Sequence, residues 1–132
     1  MRWNPLVPEM LVRDFSVSMG FYVQGVGFSI VFTRDSPRFA YLDLAGAQLM
    51  IEEDHDRAWV VGSLLAPRGR GLNVQIEVPN VYAVRERLTS QGFEPFRDIH
   101  QSWYDTAEGR EGQYEYLVQD PDGYLIRLVE II

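Results

Sequence analysis

The feature that most constrains this chain is an internal repeat. Asp14 opens a segment with Phe15, Met19 and Tyr22 at helical spacing, and Gly27-Phe28 follows 13 residues after it. Asn80 opens a second such segment with Val81, Val84 and Leu88 on one face, and Gly92-Phe93 follows 12 residues after it. Asp14, with Ser16, and Asn80 are suited to cap helix starts; the first helix is expected to run to about Tyr22 and to end across Gly25 to Gly27. Each segment follows an apolar run, LVPEMLV at 6–12 and LNVQIEV at 72–78, and leads into a second one, FSIVF at 28–32 and FEPFRDI at 93–99. Each half closes on a hairpin, one across Ala45-Gly46 and one across Asp120-Pro121-Asp122-Gly123. Tyr41-Leu42 precedes the first of these turns and Tyr116-Leu117 the second; Met50 lies four residues past Gly46, and Arg127 four past Gly123.

These spacings predict an α+β chain of two tandem βαβββ modules, paired because so small a sheet needs cover on one face. An unrelated α+β domain would need four coincidences to imitate them. The expected division is a single domain over 1–132, with module one at 1–53, an irregular connector at 54–71 and module two at 72–132. The connector stretch RAWVVGSLL is expected to form a short helix, and the residues between FEPFRDI and the last hairpin a polar loop.

Composition narrows the function. The net charge of -7 argues against binding a phosphate backbone and suits a cationic ligand, although on charge alone a solvated acidic surface is the better explanation. The absence of cysteine excludes disulfides, thiolate metal sites and a cysteine nucleophile. No apolar run approaches the roughly 20 residues of a membrane span, and the first ten residues lack the apolar stretch of a signal peptide, so the expectations are no membrane partner and a cytoplasmic location.

Turn lengths predict which side chains share a face. In the first hairpin Leu44 pairs with Ala47, which sets Tyr41 opposite Met50 and Phe39 opposite Glu52. In the second, a tight turn pairs Gln119 with Tyr124 and sets Tyr116 opposite Arg127. The repeat equates Val7 with Asn73 and Glu9 with Gln75. The expected inner face then carries Glu9, Phe39, Tyr41, Met50, Glu52, Asn73, Gln75, Glu77, Tyr116 and Arg127, a mix of aromatic and polar groups that suits a ligand groove. Taken singly, each aromatic is better explained as core, and Arg127 as an ion pair with Glu9 or Glu77. Trp59 and Trp103 lie in irregular polar segments, where a large aromatic needs a partner, either a second subunit or a ligand.

The segments NPLVPEMLVRDFSVSMGFY, GFSIVF, RFAYLDLAGAQLMIEE, GRGLNVQIEVPNV and QYEYLVQDPDGYLIRLVE together resemble the glyoxalase/bleomycin-resistance superfamily, the vicinal oxygen chelate fold, over nearly the whole chain. The resemblance implies a divalent metal held by His, Gln or Glu from inner strands. The matching positions here are Val7, Met50, Asn73 and Arg127; His55 and His100 lie elsewhere. A metal is therefore not expected at the family's place, although Glu9, Glu52 and Glu77 could offer another carboxylate set. Arg127 would replace the metal's charge. Among the superfamily's branches the chain resembles the bleomycin-resistance proteins, which implies a homodimer that sequesters a cationic glycopeptide in grooves at the subunit interface, without chemistry or cofactor. The implied ligand-binding residues are Phe32, Phe39, Tyr41, Glu52, Trp59, Asn73, Trp103, Tyr104, Asp105, Tyr116 and Arg127. The alternatives are a lyase or isomerase of the same superfamily acting on a small metabolite, with Tyr41, Tyr116 or Glu9 as acid or base, and a binder of another planar molecule.

Overall fold

The structure is a computed structural model and describes residues 2–132. It divides into two compact units, Met1–Ala66 and Pro67–Ile132, so the boundary falls inside the segment expected to be the connector. In the first unit β1 (Glu9–Val12) leads into helix α1 (Phe15–Met19), which widens into π-helical turns over Gly20–Val26. Strands β2 (Ser29–Arg34), β3 (Phe39–Leu44) and β4 (Ala47–Glu53) follow. The second unit repeats the order with β5 (Asn73–Glu77), α2 (Val81–Ser90), β6 (Pro95–Thr106), β7 (Gly109–Gln119) and β8 (Leu125–Ile131). The two sheets have the same strand order, β1-β4-β3-β2 and β5-β8-β7-β6. In each, the first strand lies parallel beside the last, and the rest are antiparallel. The two βαβββ modules are thus as the repeat predicts.

Local chemistry sets the helix ends. The Asp14 carboxylate accepts from Val17 N at 3.1 Å, and the Asn80 amide oxygen accepts from Ala83 N at 3.0 Å; each satisfies a donor that the first turn leaves over. The first helix runs past Tyr22 and ends at Gly27, within the expected Gly25 to Gly27 stop; the φ of 110° there is the left-handed conformation glycine tolerates.

Each sheet packs one face against its own helix. Met10, Val12, Ala40, Leu42, Leu49 and Ile51 are buried on the first, and Ile76, Tyr116, Val118, Ile126 and Leu128 on the second. Because strand side chains alternate, the intervening residues share the opposite face.

Three local expectations are corrected. The stretch RAWVVGSLL forms bends and turns, not a helix; Trp59 and Val61 are exposed, so no apolar face organises one. The polar segment after residue 99 is not a loop, because β6 runs on to Thr106 and pairs with β7 as far as Thr106 opposite Gly109. Its tight end is held by the Thr106 hydroxyl, which donates to the Gly109 carbonyl at 2.7 Å and accepts from Glu108 N at 3.1 Å. The last hairpin is one residue out of the expected register: Gln119 lies opposite Leu125, Leu117 opposite Arg127, and Tyr116 opposite Leu128. Asp120-Pro-Asp-Gly is not a two-residue turn. Gly123, with φ 97°, donates to the Asp120 carbonyl at 3.0 Å and acts as an extra bulge residue.

Candidate functional site

In the first unit, the sheet face away from the helix carries an aromatic cluster. The registers Phe39↔Glu52 and Tyr41↔Met50 are those expected from the Ala45-Gly46 turn, where both residues have positive φ. Phe32, brought opposite Tyr41 by a bulge in β2, stacks on that ring at 5.5 Å and 13°, and lies 5.8 Å from Phe39. Trp3 packs edge-on against Tyr41 at 4.9 Å. The segment bearing Trp3 is tied down through Gln48, whose amide oxygen accepts from Asn4 N at 2.8 Å and whose amide nitrogen donates to the Arg2 carbonyl at 2.9 Å. Tyr41 and Phe39 are fully buried, whereas Phe32 is half-buried and Trp3 exposed.

The border of this cluster is charged. The Arg34 guanidinium lies 4.1 Å from the centre of the Phe39 ring. Glu9, opposite Met50, and Glu52 share the face, and His55 Nε2 is 3.4 Å from Glu52. The Glu9 carboxyl is pushed above its ordinary value, first by desolvation and then by the charge of Glu52, against the pull of Arg34 and His55.

In the second unit the corresponding face carries a polar network centred on Glu115. Its carboxylate is 4% exposed. It accepts from Gln113 Nε2 at 2.6 Å, Ser102 Oγ at 2.7 Å, Tyr104 Oη at 2.8 Å and Arg127 Nη1 at 3.2 Å, and lies 3.0 Å from His100 Nε2. Desolvation pushes this carboxyl up, but the hydrogen bonds from Ser102, Gln113, Tyr104 and His100 win and hold it down at about 2. A group so strongly held as an anion is a poor proton carrier near neutrality and a good electrostatic anchor. Arg127 pairs with this residue, not with Glu9 or Glu77 as expected.

The other predicted ligand-binding residues are dispersed. Trp59 is 94% exposed in the irregular tail of the first unit. Asn73 opens β5 and is exposed. Tyr104 joins the Glu115 network, but its neighbours Trp103 and Asp105 project from the other face of β6. Trp103 covers Gly112 (a Cβ there would meet the indole at 2.6 Å) and lies 5.4 Å from the Arg110 guanidinium. Tyr116 is buried on the helix-packed face, beside Arg85 and Thr89 of α2, rather than beside Arg127. Sequence reasoning missed Trp3, Glu115, Gln113 and Ser102. The slipped register had turned Glu115 and Gln113 away from Arg127, and the glycine after Pro-Asp was the signal that would have restored them; Ser102 was lost because the polar stretch of β6 was expected to be a loop.

The profile of the Glyoxalase/Bleomycin resistance protein/Dioxygenase superfamily matches residues 5–128. The chain belongs to this superfamily. Solved structures of the same fold include a protein from the mobile metagenome of V. Pseudocholerae (TM-score 0.67, 16% identity, covering 98% of this chain and 96% of that one). The fosfomycin resistance protein FosX from Listeria monocytogenes is similar at TM-score 0.64 and 16% identity, with 97% and 91% covered. TioX from a Micromonospora species is similar at TM-score 0.65 and 22% identity, with 98% and 100% covered. No curated protein matches the chain.

As a superfamily member the chain would be expected to hold a divalent metal, but its residues do not fit one. The registers Glu9↔Met50 and Gln75↔Arg127 make Met50 and Arg127 equivalent, so a thioether and a guanidinium occupy two of the metal-binding positions. Val7 offers no donor, and Asn73 only a neutral amide. Among the described residues no group of three or more His, Asp or Glu side chains is arranged to hold a metal ion, the Glu9, Glu52 and Glu77 set included.

Proposed function

We propose that this protein binds and sequesters a cationic glycopeptide antibiotic of the bleomycin type without chemistry. The observation that carries the reading is the stacked cluster of Phe32, Tyr41 and Phe39 with Trp3 at its edge, bordered by Glu9 and Glu52. Flat heteroaromatic rings would pack on the accessible surfaces of Phe32 and Trp3. A positive tail would stabilise the Glu9 carboxylate, which desolvation and then the charge of Glu52 push up. Arg127 in the second unit keeps Glu115 neutralised without an ion.

A homodimer is part of the same proposal. Trp59, Val61 and Leu65 are more than half exposed in one irregular stretch, and an apolar run of that kind is suited to cover by a second subunit. The competing reading, a lyase or isomerase, draws support from the presence of His100 and Tyr104 together at Glu115, but the low pKa of that carboxyl leaves it little use as an acid or base.

The test is a titration with metal-free and with copper-bound bleomycin, following tryptophan fluorescence and heat. The expected result is saturable binding to the metal-free protein, weakened about tenfold by Phe32→Ala or Trp3→Ala, the loss of one stacking partner. Flat titrations of a folded sample would remove the drug assignment.

A further inference from the structure

The second unit contains a cleft that the proposed drug site does not use. It has a volume of about 330 Å³, enough for a small ligand. One wall is the loop Pro67-Arg68-Gly69-Arg70-Gly71; Asn73, Gln119 and Leu125 line the sheet side, and Phe96 stands at its rim, 63% exposed. Its described lining residues include Arg68 and Arg70; the charge of the buried Arg68 acts on the Tyr124 hydroxyl together with those of Asp120 and Asp122.

The loop is built to hold its shape. Arg68 N donates to the Asp122 carbonyl at 2.9 Å, and Leu72 N to the Gly69 carbonyl at 3.0 Å. Two glycines allow backbone contacts that no larger residue would permit. A Cβ on Gly69, at φ 72°, would meet the Tyr124 ring at 2.5 Å, and one on Gly123 would meet Pro67 at 2.5 Å. Arg68 is buried and hydrogen-bonded to the Tyr124 hydroxyl. Arg70, exposed, is oriented by its own Nε, which donates to the Pro67 carbonyl at 3.1 Å. A guanidinium tethered through its Nε, nearby side-chain amides and an exposed phenyl face suit a planar anion.

We infer that this cleft binds a small aromatic carboxylate. The carboxylate sits on Arg70 and the loop, and the ring lies between Phe96 and Leu125. The charge preference is opposite to that of the aromatic face in the first unit, so the two sites take different ligands. The inference does not depend on the drug assignment.

The test uses the full chain labelled with ¹⁵N. Indole-3-carboxylate is titrated while the amide resonances of Gly69, Gly71 and Gly123 are followed; indole-3-carboxamide and inorganic phosphate serve as parallel probes. The expected result is saturable shifts of these amides with the carboxylate, about tenfold weaker with the carboxamide and about tenfold weaker in Arg70→Gln, the scale of one charge-assisted hydrogen bond. Phe96→Ala, at an exposed side chain, is expected to weaken the carboxylate and leave phosphate unchanged. No shifts at millimolar carboxylate, equal binding of the carboxamide, or equal binding of phosphate would each overturn the inference.

Discussion

Glu115 is the residue on which the second unit's polar face depends. Five side chains converge on one carboxylate, and the hydrogen bonds of four of them, Ser102, Gln113, Tyr104 and His100, outweigh the desolvation that would protonate it. Its folded pKa of about 2 lies below the ordinary value of 4.5, so the unfolded chain binds more protons than the folded one between those values. The stability it contributes is complete above that window and is lost as pH falls through it, on the order of 3 kcal/mol. Denaturant melts from pH 6 to pH 2 are expected to show this loss in the natural protein and a flatter profile in Glu115→Gln. Glu115→Ala is expected to cost about 3 kcal/mol at neutral pH, because it strands Arg127 and four further donors. An unchanged profile in Glu115→Gln would mean that the network does not hold the charge. None of this was legible at the residue itself. In QYEYLV a glutamate between two tyrosines reads as the solvent face of a strand, and only the neighbouring turn decides which face that is.

That turn belongs to the scale of elements. The β7–β8 connection is fixed by Asp120, whose carboxylate accepts from Asp122 N and Tyr124 N at 2.9 Å each, and by Gly123 at positive φ. Gly46, in the other hairpin, has the same φ of 97° but nothing within 4 Å of where a Cβ would lie. Gly46→Ala therefore meets backbone strain alone, about 1 kcal/mol. Gly123→Ala adds a collision with Pro67 and is expected to cost about 2 kcal/mol or more. Thermal melts of the two variants measure the difference, and equal losses would show that the loop yields. At this scale most of the fold was legible. The caps at Asp14 and Asn80, the first hairpin's register and the order of elements along each module all follow from short local signals. The missed elements lacked such signals. Exposed Trp59 and Val61 imitated the apolar face of a helix, and the polar composition of residues 100–112 hid strands whose hydrogen bonds run to each other rather than to a buried face.

At the scale of the whole molecule the repeat was the strongest signal, because it required the same topology twice. Within the first unit the shared face of Phe39, Tyr41, Met50 and Glu52 came through, since the first hairpin's register was right, but Trp3 was not foreseen; the polar face of the second unit was not foreseen either. Sedimentation equilibrium is expected to return twice the chain mass of 15.2 kDa for the proposed homodimer, and a monomer at every concentration would remove that part of the proposal. The parallel edge pairings also bear on how the chain is made. Glu9 finds Met50 41 residues later, and Gln75 finds Arg127 52 residues later, whereas the hairpin partners Tyr41 and Met50 are nine apart. As the chain leaves the ribosome, each module's opening strand has to wait while its hairpins form, because near pairings close before distant ones. The first module has all its strands once residue 53 has emerged, but β5 has no partner until β8, at Leu125–Ile131, has emerged as well. A message truncated just after the Asp120 turn would yield one finished module and one with its opening strand unpaired.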